Sequence, residues 1–155
     1  MIVVSDSTTL IVLANAQCFD LLSNLFSCVY VPKAVWQEIN IKSGLNFPEW
    51  IQVVDVAPDE SLPLLLHLLD QGESEAILLA KKRQLPLIID EKKGRKIALQ
   101  LKIDILGLLG IVLANIKRQH ITETEARDFI ALVRQAGYRI AQPLVDAMFH
   151  RLHSG

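Results

Sequence analysis

The chain has 155 residues, of which 51% are hydrophobic and 21% are charged, and its formal net charge is −1. This composition predicts one packed globular domain over residues 1–155 and excludes a largely disordered chain. The apolar stretches are too short to cross a bilayer, and the N-terminal residues lack the basic region and cleavage site of a signal peptide. We therefore expect a cytoplasmic protein without a membrane partner.

Charge is distributed unevenly between the two halves of the sequence. Residues 1–80 hold ten acidic and two basic side chains, whereas residues 81–155 hold seven acidic and fourteen basic ones. This distribution is compatible with a polyanion held over a metal site, and equally with solvated helix faces. Charge alone therefore leaves the partner open.

The first half of the chain alternates short apolar strands with helices, as judged from hydrophobic periodicity and from turn and capping residues. The predicted elements are a strand at Ile2–Val4, helices at Thr8–Asn15 and Phe19–Phe26, a strand at Val29–Val31, a helix opened by Pro32, a loop over 43–50 and an edge strand at Ile51–Val56. Ser7 or Thr8 is expected to cap the first helix.

The second half continues the same alternation. Its predicted elements are helices at Leu62–Leu69 and Glu73–Lys82 separated by Gln71-Gly72, a strand at Pro86–Ile89, a helix at Lys92–Leu101, a strand at Ile103–Leu106, and helices at Gly107–Lys117, Thr122–Ala136 and Ala141–Leu152. Strands alternating with helices predict a three-layer α/β/α fold with a mostly parallel central sheet. Active sites of such sheets lie beyond the carboxyl ends of the strands.

Acidic side chains follow two of the apolar strands. Asp6 comes after Ile2–Val4 and Asp90 comes directly after Pro86–Ile89. If both strands are central and parallel, the two carboxylates meet at one rim of the sheet. Glu38 lies on the helix opened by Pro32. Glu73 and Glu75 are expected in the first turn of a later helix, with Glu73 on its apolar face.

Clustered carboxylates repel one another and lose hydration, and a hard cation such as Mg²⁺ or Mn²⁺ relieves both costs. Such an ion can activate water for phosphodiester hydrolysis. None of the four histidines sits at a predicted strand end, so no catalytic triad is indicated. Each acid also has an ordinary explanation as a helix cap, a first-turn acid or a surface residue. Spacing alone leaves both interpretations open.

Several segments resemble, in order and spacing, the motifs of PIN domains and in particular of the DUF3368 branch, which is related to the VapC toxins. The segments are Val4–Ala14, Val31–Ile39, Gly72–Ala80, Leu87–Arg95, Ile105–Leu113 and Pro143–Leu152. Any one of them is weak, whereas several in order are specific. The sequence departs from the branch at Leu108, where a small hydroxyl residue is common.

The resemblance implies a PIN-like fold and a ribonuclease that depends on Mg²⁺ or Mn²⁺. By motif matching, the catalytic and metal-binding acids are Asp6, Glu38, Glu73 and Asp90. Ser7 would support the first aspartate or the water on its metal. Glu75 and Glu91 remain alternatives to Glu73 and Asp90. The basic residues just beyond Asp90 are expected to contact RNA phosphates; they are Lys92, Lys93, Arg95 and Lys96.

The resemblance also implies a role as the toxin of a toxin–antitoxin pair, with a small antitoxin protein as a partner and a homodimer as the assembly. The alternative is a catalytically inactive PIN-like module that binds protein or RNA. Such a module would be expected to lack one of the acids, and all four positions are acidic here. A nucleotide-binding domain would need a Gly-rich loop after the first strand, which is absent.

Overall fold

A computed structural model of the chain describes residues 1–154; Gly155, which the predicted domain includes, lies outside them. The described residues form five strands and nine helices. The strands are β1 (Ile2–Ser5), β2 (Cys28–Pro32), β3 (Ile51–Val54), β4 (Leu87–Ile88) and β5 (Ile105–Leu106). The helices are α1 (Ser7–Asn15), α2 (Asp20–Ser23), α3 (Lys33–Ser43), α4 (Leu62–Leu68), α5 (Gln71–Arg83), α6 (Lys92–Gln100), α7 (Leu108–Lys117), α8 (Glu123–Gln135) and α9 (Gln142–Ser154).

The five strands form one parallel sheet in the order β3-β2-β1-β4-β5. Strand β1 is central: Val3 pairs with Val29 of β2, and Ser5 pairs with Ile88 of β4. The pairing continues past β1, because the Asp6 N–H donates a 3.0 Å hydrogen bond to the Ile88 carbonyl. The carboxyl ends of β1 and β4 therefore meet at one edge of the sheet, as predicted.

Successive residues of the central strands enter two separate cores, because side chains alternate across a strand. Val3 and Ile88 pack with apolar residues of α1, α2, α3, α7, α8 and α9. Val4, Leu87 and Ile89 pack with residues of α4, α5 and α6. All five side chains are fully buried, and each such burial contributes roughly 1.5–3 kcal/mol. Helices on both faces explain the continuous apolar runs of these strands and confirm the three-layer α/β/α prediction.

The second helix is shorter than predicted. It was expected over Phe19–Phe26 and spans Asp20–Ser23. The residues after it turn back toward the sheet, where the Ser27 N–H donates a 2.9 Å hydrogen bond to the Met1 carbonyl. Pairing with the start of β1 therefore overrides the helical periodicity of this segment.

The start of α5 also differs from the prediction. Gln71 and Gly72 were expected to separate two helices, but both belong to α5. The helix begins here because the Asp70 carboxylate accepts a 2.8 Å hydrogen bond from the Glu73 N–H and caps it. Glu73 consequently lies in the first turn, whereas Glu75 lies beyond it.

Strands β4 and β5 are two residues long, shorter than the predicted Pro86–Ile89 and Ile103–Leu106. Backbone bonds extend the same pairing on both sides of β4. The Val4 N–H donates to the Pro86 carbonyl at 2.9 Å, and the Ile89 N–H donates to the Leu106 carbonyl at 3.0 Å. Within residues 1–154, no helix has the length and apolar character that a membrane crossing requires.

Candidate acidic active site

Asp6 lies directly beyond β1, at the position that precedes the first residue of α1. Its side chain is only 4% exposed, and it makes no capping hydrogen bond to the helix. The helix-cap explanation therefore does not account for this buried acid. The prediction that Ser7 or Thr8 caps α1 is wrong, because both residues lie within the helix; Ser7, also predicted to support Asp6, is its first residue and is buried.

Other acids crowd around Asp6. Burial raises the pKa of Asp6 to about 7; the Ser7 N–H opposes this shift, and the nearby charges of Asp70, Glu38 and Asp90 add to it. Loss of hydration and nearby like charges both disfavour ionisation, so the raised pKa reports a buried acid with other acids around it. The structure thus brings acids from β1, α3, α5 and β4 to one edge of the sheet.

Asp90 is held on both sides by hydrogen bonds. Its Oδ2 accepts a 2.6 Å bond from the Thr9 hydroxyl, and its Oδ1 accepts a 3.1 Å bond from the Leu108 N–H. The cap of α6 is Glu91, whose carboxylate accepts a 2.7 Å bond from the Gly94 N–H. Glu91 therefore has the capping role and Asp90 is free of it. At the position where the branch commonly has a hydroxyl residue, the main chain of Leu108 contacts Asp90 instead.

Glu73 is the more buried of the two candidate glutamates on α5. Burial, reinforced by the adjacent carboxyls of Glu91 and Asp70, raises the pKa of Glu73 to about 9. Its Oε2 is one of two buried side-chain oxygens in residues 1–154 without a hydrogen-bond partner. Glu75 instead accepts a 3.4 Å bond from the Ala34 N–H and links α5 to α3.

Glu38 reaches the same region from α3. Its Oε2 lies over Gly72, where an added Cβ would come within 3.1 Å of it. The Lys42 ammonium donates a 2.9 Å hydrogen bond to Glu38 Oε1, one turn along α3. This bond raises the pKa of Lys42, as do the charges of Asp70 and Asp6. Lys42 is thus an exposed cation at the rim of the acids.

The predicted phosphate contacts divide into two kinds. Lys92, Lys93 and Lys96 are exposed on α6, just beyond Asp90. Arg95 is half-buried, and its Nη1 donates a 2.8 Å hydrogen bond to the Ile89 carbonyl. The three lysines are therefore accessible to a large polyanion, whereas Arg95 already donates a hydrogen bond to the main chain next to Asp90.

Sequence reasoning missed several residues of this region. Asp70 could have been identified from the sequence, because an Asp three residues before Glu73 has the spacing of a helix cap. Thr9 and Tyr138 had no local signal, since packing alone brings them to Asp90. Burial raises the pKa of Tyr138, and the Asp90 carboxylate beside its hydroxyl raises it further. The phenol therefore stays protonated next to the acid.

The carboxylate oxygens of these acids are ligands that suit a hard cation. Burial and crowding keep Asp6 and Glu73 partly or largely protonated near neutral pH, and Oε2 of Glu73 lacks a partner. A bound cation would satisfy these oxygens and offset their charge. In the arrangement described for residues 1–154, no three His, Cys, Asp or Glu side chains stand close enough together to hold a metal ion.

Comparison with known proteins indicates the family of the chain. The sequence profile of DUF3368, described as a PIN domain, matches residues 2–154. No curated protein matches the chain. PIN domains are generally nucleases, and they usually use divalent metals. Since the match covers nearly the whole sequence and the parallel α/β/α fold agrees with it, the chain belongs to the DUF3368 family of PIN domains.

Proposed function

We propose that this protein is an endoribonuclease that hydrolyses RNA phosphodiesters with the help of Mg²⁺ or Mn²⁺. The observation that carries the proposal is the buried carboxylate of Asp6 with other acids around it; burial chiefly, and the charges of Asp70, Glu38 and Asp90 in addition, raise its pKa to about 7. Burying Asp6 and Glu73 beside other carboxylates is costly, and a bound cation offsets the cost. Acids whose pKa values are strongly perturbed concentrate at functional sites.

In this proposal each acid has a defined part. Asp6 and Asp90 would hold the cation directly, and Glu38 and Glu73 would hold it directly or through water. A bound Mg²⁺ or Mn²⁺ would supply Lewis acidity toward water and toward the leaving oxygen of the phosphodiester. Thr9 and the Leu108 N–H fix the orientation of Asp90 through its two oxygens.

The remaining predicted residues support these acids or the substrate. Ser7 positions Asp6, its neighbour at the start of α1. Glu91 and Glu75 keep capping and bridging roles, because both accept main-chain hydrogen bonds. Lys92, Lys93 and Lys96 contact RNA phosphates without reading sequence, and Arg95 adds a positive charge beside Asp90.

The decisive experiment measures cleavage of labelled single-stranded RNA by the purified protein in Mn²⁺, Mg²⁺ or EDTA. Asp6→Asn keeps the size of the side chain and removes its charge. Asp128→Asn is the matched control, because Asp128 is exposed on α8. We expect metal-dependent cleavage by the wild type and by Asp128→Asn and none by Asp6→Asn. Cleavage that persists in EDTA or in Asp6→Asn would contradict the proposal.

A second candidate is a catalytically inactive PIN-like module that binds protein or RNA. It is favoured by one observation, namely that no three metal-ligating side chains in the described chain are close enough to hold a metal. Calorimetry with Mn²⁺ separates the two candidates. Absence of both metal binding and cleavage in folded protein would favour the inactive module, whereas metal binding that Asp6→Asn abolishes favours the nuclease.

We further propose that the protein acts in the cytoplasm as the toxin of a toxin–antitoxin pair, restrained by a small antitoxin, and that it forms a homodimer. These points rest on the family relationship. Induced expression should arrest growth of host cells with the wild type and not with Asp6→Asn. Equal growth of both strains would contradict the toxin role. Light scattering of the purified protein should give twice the chain mass of 17.3 kDa.

A further inference from the structure

A cavity of about 560 Å³ opens beside the acidic site. It lies where the end of β5 and the start of α7 face α9 and the segment before it. Asp90 forms part of its wall, together with Arg95 and Gly107. Pockets of this volume accommodate small organic ligands, and a single nucleotide falls within that range. The position of Asp90 makes the cavity continuous with the acids rather than a separate site.

The floor of the cavity is apolar, and the charged residues that line the cavity have a net positive charge. Leu109, Leu113 and Met148 contribute apolar surface. Asp90 is the one acid among the lining residues, against three arginines: Arg95, Arg139 and Arg151. Arg139 and Arg151 are exposed, and neither forms a hydrogen bond or an ion pair with the described residues 1–154. Their planar guanidinium groups match the oxygens of a phosphate.

Tyr138 connects the cavity with the acidic site. Its side chain is half-buried and lines the cavity, and its hydroxyl lies beside Asp90. Proteins commonly hold the unpaired bases of single-stranded RNA against aromatic rings, arginine planes and apolar side chains. An apolar floor, an aromatic ring and a cationic rim are therefore together in one cavity next to Asp90.

We propose that this cavity binds one unpaired nucleotide of the RNA substrate, with its base against the apolar floor and its phosphate at Arg139 and Arg151. The inference rests on the proposed function, because it takes RNA as the substrate. The excess of arginine over acid favours an anionic occupant over an apolar peptide. A base within a duplex is stacked and paired, so the cavity selects single-stranded RNA.

The test measures binding of the four nucleoside 5′-monophosphates to the protein in EDTA by NMR chemical shifts, with ribose 5-phosphate as the base-free probe. Ala147→Phe fills the cavity, since Ala147 is an exposed lining residue on α9. Ala131→Phe, on the exposed face of α8, is its matched control. We expect Ala147→Phe to weaken binding of the monophosphates at least tenfold and Ala131→Phe to leave it unchanged.

A second pair of variants does not depend on how well a phenylalanine is accommodated. Arg139→Ala with Arg151→Ala removes the two cations at the rim, and Lys117→Ala removes an exposed charge at the far end of α7. We expect the double variant to lose phosphate-dependent affinity and the control to keep it. Ribose 5-phosphate should bind at least tenfold more weakly than the best monophosphate.

The outcomes separate this inference from the nuclease proposal. Monophosphate binding that Ala147→Phe abolishes, in a folded protein that neither cuts RNA nor binds Mn²⁺, supports the cavity and removes the nuclease. A protein that cuts single-stranded RNA while no monophosphate binds overturns the inference and leaves the cavity to another occupant, such as a protein segment. Equal affinity for ribose 5-phosphate overturns it as well, because the base would then contribute nothing.

Discussion

The hydroxyl of Thr9 donates a 2.6 Å hydrogen bond to Oδ2 of Asp90, a residue 81 positions later in the chain. The bond joins the first turns of α1 to the end of β4, so the two strand ends that carry acids are linked through side chains as well as through the sheet. The other oxygen of Asp90 is occupied by the Leu108 N–H. Thr9 and Leu108 are both buried, and their two bonds hold the carboxylate of Asp90 through both of its oxygens.

Thr9→Val removes the hydroxyl of Thr9 but keeps the shape of the side chain. The valine fits the same space but cannot donate to Asp90, so we expect the free energy of unfolding to fall by about 1–2 kcal/mol. RNA cleavage should fall roughly 10- to 100-fold, as for other groups that orient metal ligands. Thr9→Ser keeps the donor and should retain most activity, and Thr8→Val is the control at a neighbouring position. Equal cleavage by Thr9→Val and the wild type would contradict the positioning role.

Gly107→Ala should disturb Asp90 directly. A Cβ at this position would lie 2.7 Å from Asp90 Oδ1 and 2.7 Å from Arg95 Nη1. Both groups would have to move, and overpacking of this kind costs about 1–3 kcal/mol. We expect lower thermal stability and loss of cleavage, measured by calorimetry and by the RNA assay. An alanine variant with unchanged melting temperature and activity would show that the space beside Asp90 is not constrained.

Asp70→Asn tests whether the acid that sequence reasoning missed contributes charge to the site. Asparagine can still accept the hydrogen bond from the Glu73 N–H, so the cap of α5 is kept. We expect nearly unchanged stability together with weaker Mn²⁺ binding and slower cleavage. Asp70→Ala removes the cap too and should cost about 1 kcal/mol more. If Asp70→Asn binds Mn²⁺ like the wild type, Asp70 is a helix cap alone.

The metal-free protein should become less stable as the pH rises. Burial raises the pKa of Asp6 from 3.8 to about 7 and that of Glu73 from 4.5 to about 9. Between the unfolded and the folded pKa of each carboxyl, the folded chain binds more protons than the unfolded chain. In that interval the free energy of unfolding falls by roughly 1.4 kcal/mol per pH unit for each carboxyl. Urea unfolding in EDTA at pH 5, 7 and 9 measures this slope.

Neutral variants should flatten this pH dependence, because an amide resembles the protonated acid. We expect Asp6→Asn to reduce the slope between pH 5 and 7, and Glu73→Gln to reduce it up to pH 9. Asp128→Asn, at an exposed position, should keep the wild-type slope. A stability that is constant from pH 5 to 9 in the wild type would mean that burial does not raise the pKa values of Asp6 and Glu73.

The exposed lysines of α6 should govern the salt dependence of RNA binding. Replacing Lys92, Lys93 and Lys96 by alanine removes three charges that are accessible to phosphates. In single-stranded RNA, each lost phosphate contact should lower the slope of log affinity against log salt by about 0.7. Fluorescence anisotropy with the non-cleaving Asp6→Asn background measures that slope. An unchanged slope in the triple variant, equal to that of Lys117→Ala, would place the RNA elsewhere.

Much of the fold follows from local patterns in the sequence. The apolar run before Asp90 and the β-branched run before Asp6 predict central parallel strands, and their shared edge is confirmed. The segment Thr122-Glu123-Thr124-Glu125 has the sequence pattern of a capping box, and the box is present, with the Thr122 hydroxyl accepting a 3.1 Å bond from the Glu125 N–H. These features depend on neighbours in sequence, which is why they are visible without a structure.

What the sequence does not reveal depends on distant contacts. The end of α2 is set by pairing with the start of β1, so its helical periodicity misleads. Thr9 and Tyr138 reach Asp90 only through packing, and no spacing rule links them to it. Whether Glu73 or Glu75 faces the acids is decided by the start of α5, which Asp70 fixes one residue before the helix.

The pairing of Ser5 with Ile88 has a consequence for synthesis of the chain. β1 emerges from the ribosome before its neighbour β4, which follows only after two further strands and five helices have been made. Pairing of strands this distant in sequence is slow, because the entropy cost of closing a large loop comes before the strands gain any contacts. The edge that gathers the acids therefore cannot form on a short nascent chain, and the proposed cutting activity should appear only late in folding.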